Sequence, residues 1–268
     1  MAERIGLIAG NGQFPIIFAQ AAARQGRTVV ALAIKEETDP ELANYVQSIH
    51  WIGVGSLGDF FKILRKEKLK KVVMCGQIKH GRIFEKNIAM DDNLKRFLNR
   101  VKDKRTDSLI GGIAKLLSRS GIKLLDSTLF LKDFLVRRGA LTRSAPTPAQ
   151  CQDIAFGRKI AKRIAGLDIG QTVVVREKAI LAIEAIEGTD ATIKRGGALG
   201  KTGAVVVKVG KPRQDMRFDI PFVGPRTLEA LAAAGCSVLA MEAGKTFMLE
   251  KEQCLKLAER NRICLIGI

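Results

Sequence analysis

The first 75 residues alternate strand-length apolar runs with amphipathic stretches, a rhythm that few folds accept. Residues 4–9, 28–34 and 71–75 are β-branched or aliphatic runs, with a weaker one at 46–52. Residues 14–24 predict a helix. Leu57, Phe60, Phe61 and Leu64 recur at i, i+3, i+4, i+7, which places them on one helical face. Strands that alternate with helices at this spacing form a parallel sheet covered on both faces. Leu94, Phe97, Leu98 and Val101 repeat the helical spacing, a further helix is expected over 107–118, and 121–125 returns to the sheet.

The second half begins after a proline-punctuated seam. Arg137-Arg138-Gly139 leads into Ser144-Ala145-Pro146-Thr147-Pro148. Thr147, Pro148 and Gln150 together predict a capping box and a helix running to 166. Strands are expected at 172–175 and 179–185, joined by a tight Arg176-Glu177-Lys178 turn, and again at 203–209, 237–241 and 263–268. Helices are expected at 225–234 and 250–260. The fold class is therefore α/β with two domains: a Rossmann-like parallel-sheet domain over 1–135, a linker over 136–148, and a mixed sheet with helices over 149–268. A length of 268 residues suits two medium domains.

Charge narrows the partners. Lys and Arg number 45 against 27 Asp and Glu, a net charge of +18. Residues 1–130 hold 22 basic and 13 acidic residues (+9), and the remainder 23 and 14 (+9), so the excess is not a basic tail. Such a surface expects phosphate, nucleic acid or an anionic membrane face. One Trp and one Tyr leave few stacking platforms, and nucleic acid is not an expected partner. Residues 62–71 and 95–105 each carry six basic residues and one acid on a helix flank, an arrangement that suits either solvent or anionic headgroups. Residues 5–23 are uncharged, but Gly10, Asn11, Gly12, Gln13, Pro15 and Gln20 interrupt them, so no membrane span is expected there. Five cysteines without a Cys-x-x-Cys spacing read as buried free thiols in a reducing cytoplasm. The oligomeric state is open between monomer and homodimer.

Several stretches carry chemistry. Gly10-Asn11-Gly12-Gln13 follows a strand and opens a helix, which suits a loop for nucleotide or phosphate, although Pro15 stands where a dinucleotide fingerprint wants Gly or Ala. Gly76-Gln77-Ile78-Lys79 follows another parallel strand, where α/β sheets place ligands. His50, beside Trp51 at a strand end, reads as a packed histidine. Gly200-Lys201-Thr202 and Gly244-Lys245-Thr246 lack the upstream glycine of a P-loop, since Arg195 and Leu239 hold those positions. No Gly-x-Ser-x-Gly elbow is present. Glu184, Glu187 and Asp190 cluster with Thr189 at the exit of an apolar strand into a glycine turn, as hard oxygen ligands for Mg²⁺ would. In the segment 211–221, Arg217 and Asp219 alternate with Phe218 and Ile220, so an extended backbone would present the charged pair on one side. Together these patches suggest metal-assisted attack on phosphorus.

The residues 5–15, Gly76-Gln77-Ile78-Lys79, 184–190 and 217–221 resemble those of the UDP-2,3-diacylglucosamine pyrophosphatases of the LpxI type, over nearly the whole chain. Where that family has a more acidic Gly-Asp-Asp-type sequence, this chain has Arg105-Thr106-Asp107-Ser108-Leu109. The resemblance implies metal-dependent hydrolysis in lipid A biosynthesis, with water attacking the α-phosphorus of a lipid-linked UDP-sugar. It further implies two domains holding the lipid, Asp219 as the family's essential aspartate, and a cytoplasmic enzyme peripheral to the inner membrane. The expected site is Asp219 and Arg217 in catalysis, with Mg²⁺ on Asp219, Glu184, Glu187 and Asp190. Gly10, Asn11, Gly12, Gln13, Gly76, Gln77, Lys79, Thr189 and Lys208 are expected on substrate. A non-catalytic nucleotide-sugar or lipid-binding regulator and an NAD-dependent sugar-nucleotide oxidoreductase are the alternatives.

Overall fold

In the computed structural model, which describes residues 3–76, 89–102, 106–212, 214–217 and 220–268, the N-terminal alternation becomes a five-stranded parallel sheet. Its strands are β1 (Arg4–Ala9), β2 (Thr28–Ile34), β3 (Ser48–Ile52), β4 (Lys71–Cys75) and β5 (Lys123–Leu124), in the spatial order β3-β2-β1-β4-β5. Every pairing is parallel, with Ile8 beside both Leu32 and Met74. The order reverses between β1 and β4, the position at which open α/β sheets place ligands. Helix α1 (Phe14–Arg24) buries Phe14, Ile16 and Phe18. Helices α2 (Leu57–Lys66), α3 (Asp92–Arg100) and α4 (Thr106–Arg119) share one apolar cluster with Ile8, Val30, Leu32 and Val72, and so cover one face of the sheet. His50 is satisfied, its Nε2 lying 2.9 Å from Glu67 Oε1.

The chain divides into one unit of Met1–Leu131 with Met216–Phe218 and another of Lys132–Asp215 with Asp219–Ile268. The second unit holds β6 (Gly139–Ala140), β7 (Thr172–Arg176), β8 (Ala179–Ile183), β9 (Val205–Lys208), β11 (Val238–Met241) and β13 (Cys264–Gly267) in the order β6-β13-β11-β9-β7-β8. The pairs β9–β11 and β11–β13 are parallel and the others antiparallel, which makes the sheet mixed. A two-stranded parallel sheet, β10 (Phe222–Val223) with β12 (Phe247–Met248), stands apart from it. Alternation along the valine-rich strands feeds two cores. Val173, Val175, Val205 and Val207 pack under helix α5 (Pro148–Gly166). Val174, Val206 and Leu239 pack under α6 (Thr189–Gly200), α7 (Pro225–Ala233) and α8 (Lys251–Arg260). The capping box at the start of α5 is present: Gln150 N donates to Thr147 Oγ1 at 3.3 Å and Thr147 N to Gln150 Oε1 at 2.8 Å.

Four sequence expectations change. Residues 136–148 are not merely a link, because Val136 is buried in the second unit's core and β6 pairs with β13. Residues 189–200, read as following a glycine turn, form the helix α6. Met216 and Arg217 lie in a turn, so the extended alternation fails there: a turn does not send successive side chains to opposite faces. Of the five free cysteines, four are buried but Cys151, near the start of α5, is exposed. No helix among the described residues is long and apolar enough to cross a membrane.

Candidate functional site

In the first unit, the loops after β1 and β4 touch through backbone. Gly10 N donates to Cys75 O at 2.8 Å. Gly76 has φ +86°, and a Cβ there would lie 2.6 Å from Asn11 O, so only glycine lets the two loops close at the point where strand order reverses. Asn11 Nδ2 donates to Glu37 O at 3.2 Å, which ties the loop to the end of β2. The buried Thr38 secures that end: its hydroxyl donates to Ala9 O at 2.7 Å and accepts from Ile34 N at 3.0 Å. Gln13 Nε2 lies 3.5 Å from Asp39 Oδ2. Asn11, Gly12 and Gln13 are exposed at the mouth of α1, where Gln13 at the N-cap makes no side-chain cap bond. Gln77 and Lys79 lie outside the described residues.

In the second unit, Lys208, Thr189 and Glu184 form a relay. Lys208 sits at the end of β9, 6% exposed, and its Nζ donates to Thr189 Oγ1 at 2.6 Å. Thr189 Oγ1 donates in turn to Glu184 Oε1 at 2.8 Å, while Gln171 N donates to Glu184 Oε2 at 3.0 Å. Burial pushes the Glu184 carboxyl up. The Lys208 ammonium and the hydrogen bonds of Thr189 and Gln171 outweigh that and hold it below the ordinary value. Glu184 is thus an ionised group facing a buried cation across one hydroxyl.

The neighbouring carboxylates are engaged separately. Glu187 accepts from Arg195 at 2.7 Å, Thr192 Oγ1 at 3.2 Å and Ala185 N at 3.2 Å. Its own backbone N–H and Arg195 hold its carboxyl below the ordinary value. Asp190 Oδ1 accepts from Thr227 Oγ1 at 3.0 Å. Arg217 is exposed, and Asp219 lies outside the described residues.

These positions bear on the expected Mg²⁺. Among the described residues no group of three His, Cys, Asp or Glu is placed to hold a metal. Glu184 already faces the Lys208 ammonium, and Glu187 the Arg195 guanidinium. A divalent cation would have to displace both. Glu184, Glu187 and Asp190 do not fit a shared magnesium site.

Sequence reasoning missed a second charged group at the ends of the parallel strands. Glu242, just after β11 and 7% exposed, accepts from Lys162 Nζ at 2.5 Å and from Gly210 N at 2.8 Å. Lys162 also donates to Gly210 O at 2.8 Å, so the residue that opens the 211–219 segment is gripped on both sides. Lys211 Nζ adds an ion pair with Asp168 Oδ1 at 2.6 Å. The available signal was position: Gly210 and Glu242 both follow parallel strands, where α/β sheets collect function.

The LpxI N-terminal domain family matches residues 4–134, and the LpxI C-terminal domain family matches 137–266. The chain belongs to the LpxI family. The UDP-2,3-diacylglucosamine pyrophosphatase LpxI of Caulobacter vibrioides is 29% identical over 279 residues, covering 99% of this chain and 98% of that protein. Among solved structures, the biotin carboxylase domain of Hydrogenobacter thermophilus 2-oxoglutarate carboxylase overlaps 74% of this LpxI-family chain at 12% identity and a TM-score of 0.30. Campylobacter jejuni biotin carboxylase overlaps 74% at 11% and 0.29. The chain spans about two fifths of each of those proteins.

Proposed function

We propose that this chain hydrolyses the pyrophosphate of UDP-2,3-diacylglucosamine in lipid A biosynthesis, giving UMP and 2,3-diacylglucosamine 1-phosphate. The observation that carries this reading is the LpxI match over both halves, together with a full-length relative bearing that activity in its name. Water oxygen bonds to the α-phosphorus, the bond from that phosphorus to the bridging oxygen breaks, and the electron pair leaves with the lipid phosphate.

The residues divide the work. In the first unit, the Gly10–Gln13 loop, pinned by Asn11 to Glu37 O, offers an exposed turn to a nucleotide or phosphate. In the second unit, Lys208 offers a buried ammonium where negative charge grows on phosphoryl oxygens, positioned by its bond to Thr189 Oγ1. Glu184 holds Thr189 and Lys208 in register. Asp219 takes the proton of the attacking water, and Arg217 offsets phosphate charge. A divalent cation remains an expectation of the resemblance; since Glu184, Glu187 and Asp190 do not fit it, no step here passes through one.

The test incubates purified protein with dispersed lipid-UDP substrate in oxygen-18 water, with Mg²⁺ or EDTA. Release of UMP carrying the label is expected, and Asp219→Ala should lower kcat by about 10³-fold or more while substrate still binds. Label in the lipid phosphate would move the attack to the other phosphorus. Absence of UMP in both metal conditions would remove the hydrolase reading.

A further inference from the structure

We propose that the outer surface of helices α2 and α3 is a docking face for an anionic lipid bilayer. The two basic stretches start 33 residues apart, at Lys62 and Lys95, and the fold brings them together. Asp91 joins them: its Oδ2 accepts from Gly58 N at 2.6 Å, its Oδ1 caps α3 by accepting from Leu94 N at 2.7 Å, and its own N–H donates to Gly55 O at 3.0 Å. Leu57, Phe60 and Leu64 of α2 and Phe97 of α3 enter one apolar cluster above the sheet, so both helices bury the same side and turn their remaining sides outward.

The outward sides are basic. Lys62, Arg65, Lys66, Lys95, Arg96 and Arg100 are all exposed. Only Asp59 and Asp92 oppose them from the same helices, pairing with Lys62 at 3.0 Å and Lys95 at 3.7 Å. Arg65, Lys66, Arg96 and Arg100 make no ion pair among the described residues, which leaves four cations without an acidic partner on one layer, Arg96 being held by Asp92 O at 3.1 Å and Asn93 Oδ1 at 2.9 Å. A dense carpet of anionic headgroups complements such a face. Nucleic acid fits it less well. The aromatic rings of these helices point inward: Phe60 and Phe97 are buried, and Phe61 packs edge-on against Phe60 at 5.0 Å, so none is offered for base stacking.

The proposal gains its purpose from the lipid-linked substrate, but its test contains none, so the two readings fail separately. The full chain is sedimented with phosphatidylethanolamine vesicles holding either no phosphatidylglycerol or about one third. Binding is expected only to the anionic vesicles, and raising NaCl from about 0.1 to 0.5 M should release the protein. The variant Arg65→Glu/Lys66→Glu/Arg96→Glu/Arg100→Glu should lose binding by about tenfold or more. A control of equal charge change on exposed sites of the second unit, Lys159→Glu/Lys251→Glu/Lys256→Glu/Arg260→Glu, should lose less than threefold. Hydrolysis of detergent-dispersed substrate should be unchanged in the first variant, and the Gln versions at the same four positions provide a milder series should the Glu version misfold. Equal losses in variant and control, binding that survives high salt, or a stronger preference for an RNA oligonucleotide abolished by the same four changes would each overturn the proposal.

Discussion

Lys208 decides the charge state of its surroundings. A glutamate 9% exposed would ordinarily keep its proton. The Lys208 ammonium, reached through Thr189, helps hold the Glu184 carboxyl ionised. Replacing Lys208 with Met leaves Glu184 buried without its counter-charge, which should cost roughly 3 kcal/mol in urea unfolding at pH 7, most of it recovered by adding Glu184→Gln. The pH dependence should also change sign. In the native protein the Glu184 carboxyl is depressed, so its stabilisation is present above about 4.3, the ordinary Glu value, and disappears as pH falls through the lower folded value. Without Lys208, burial dominates and raises that carboxyl, so this site gains stability between pH 7 and 5. Unfolding curves at those two pH values check the sign, and a Lys208→Met protein losing stability between them would refute the relay. The sequence places Glu184, Thr189 and Lys208 at strand and turn ends, but which carboxylate meets which cation is a matter of three dimensions. The runs of acids that suggest a metal site from spacing alone are parted by Arg195, Thr227 and Lys208 once folded.

Elements whose pattern is set by β-branched runs or by capping residues were readable: β1, β2, β4 and β7 begin where their apolar runs begin, and Thr147 with Gln150 marks the start of α5. Helix α6 was not, for a physical reason. Its sequence Thr-Asp-Ala-Thr-Ile-Lys-Arg-Gly-Gly-Ala-Leu-Gly has three glycines, each unfavourable in a helix by about 1 kcal/mol relative to alanine. Packing overrides propensity here. A Cβ on Gly196 would sit 2.5 Å from Val174 Cβ, and one on Gly197 would run into Ala234, so the glycines let α6 lie directly on β7 and beside the end of α7. Gly196→Ala should therefore destabilise by roughly 2 kcal/mol despite its better helix propensity, as read by thermal or urea unfolding. An unchanged or raised stability would show that helix and strand can part without cost, and the placement of Thr189 at the head of α6 would lose its support.

At the scale of the whole chain, proline punctuation at 144–148 suggested where the second half starts, yet its packing begins earlier. Val136 N donates to Thr246 O at 2.9 Å and Gly244 N to Val136 O at 2.9 Å, so the chain is threaded into the second unit before β6. Leu265 N donates to Thr142 Oγ1 at 3.0 Å and Leu141 N to Leu265 O at 2.8 Å, so the outer edge of β13 is covered by residues that sequence composition marks as a loop. Gly and Arg at 137–139 conceal this, because a two-residue edge strand leaves no periodicity to find. A fragment of residues 132–268 should unfold cooperatively in urea, since it keeps both second-unit cores and the cover on β13. A fragment of residues 149–268 exposes that strand edge and removes Val136 from its core, and should aggregate or lose roughly 3 kcal/mol or more. Equal stability of the two fragments would return 136–148 to the role of a simple link. Such a result would also free β13 as an edge strand, which a chain carrying +18 would then have to protect from self-association by charge alone.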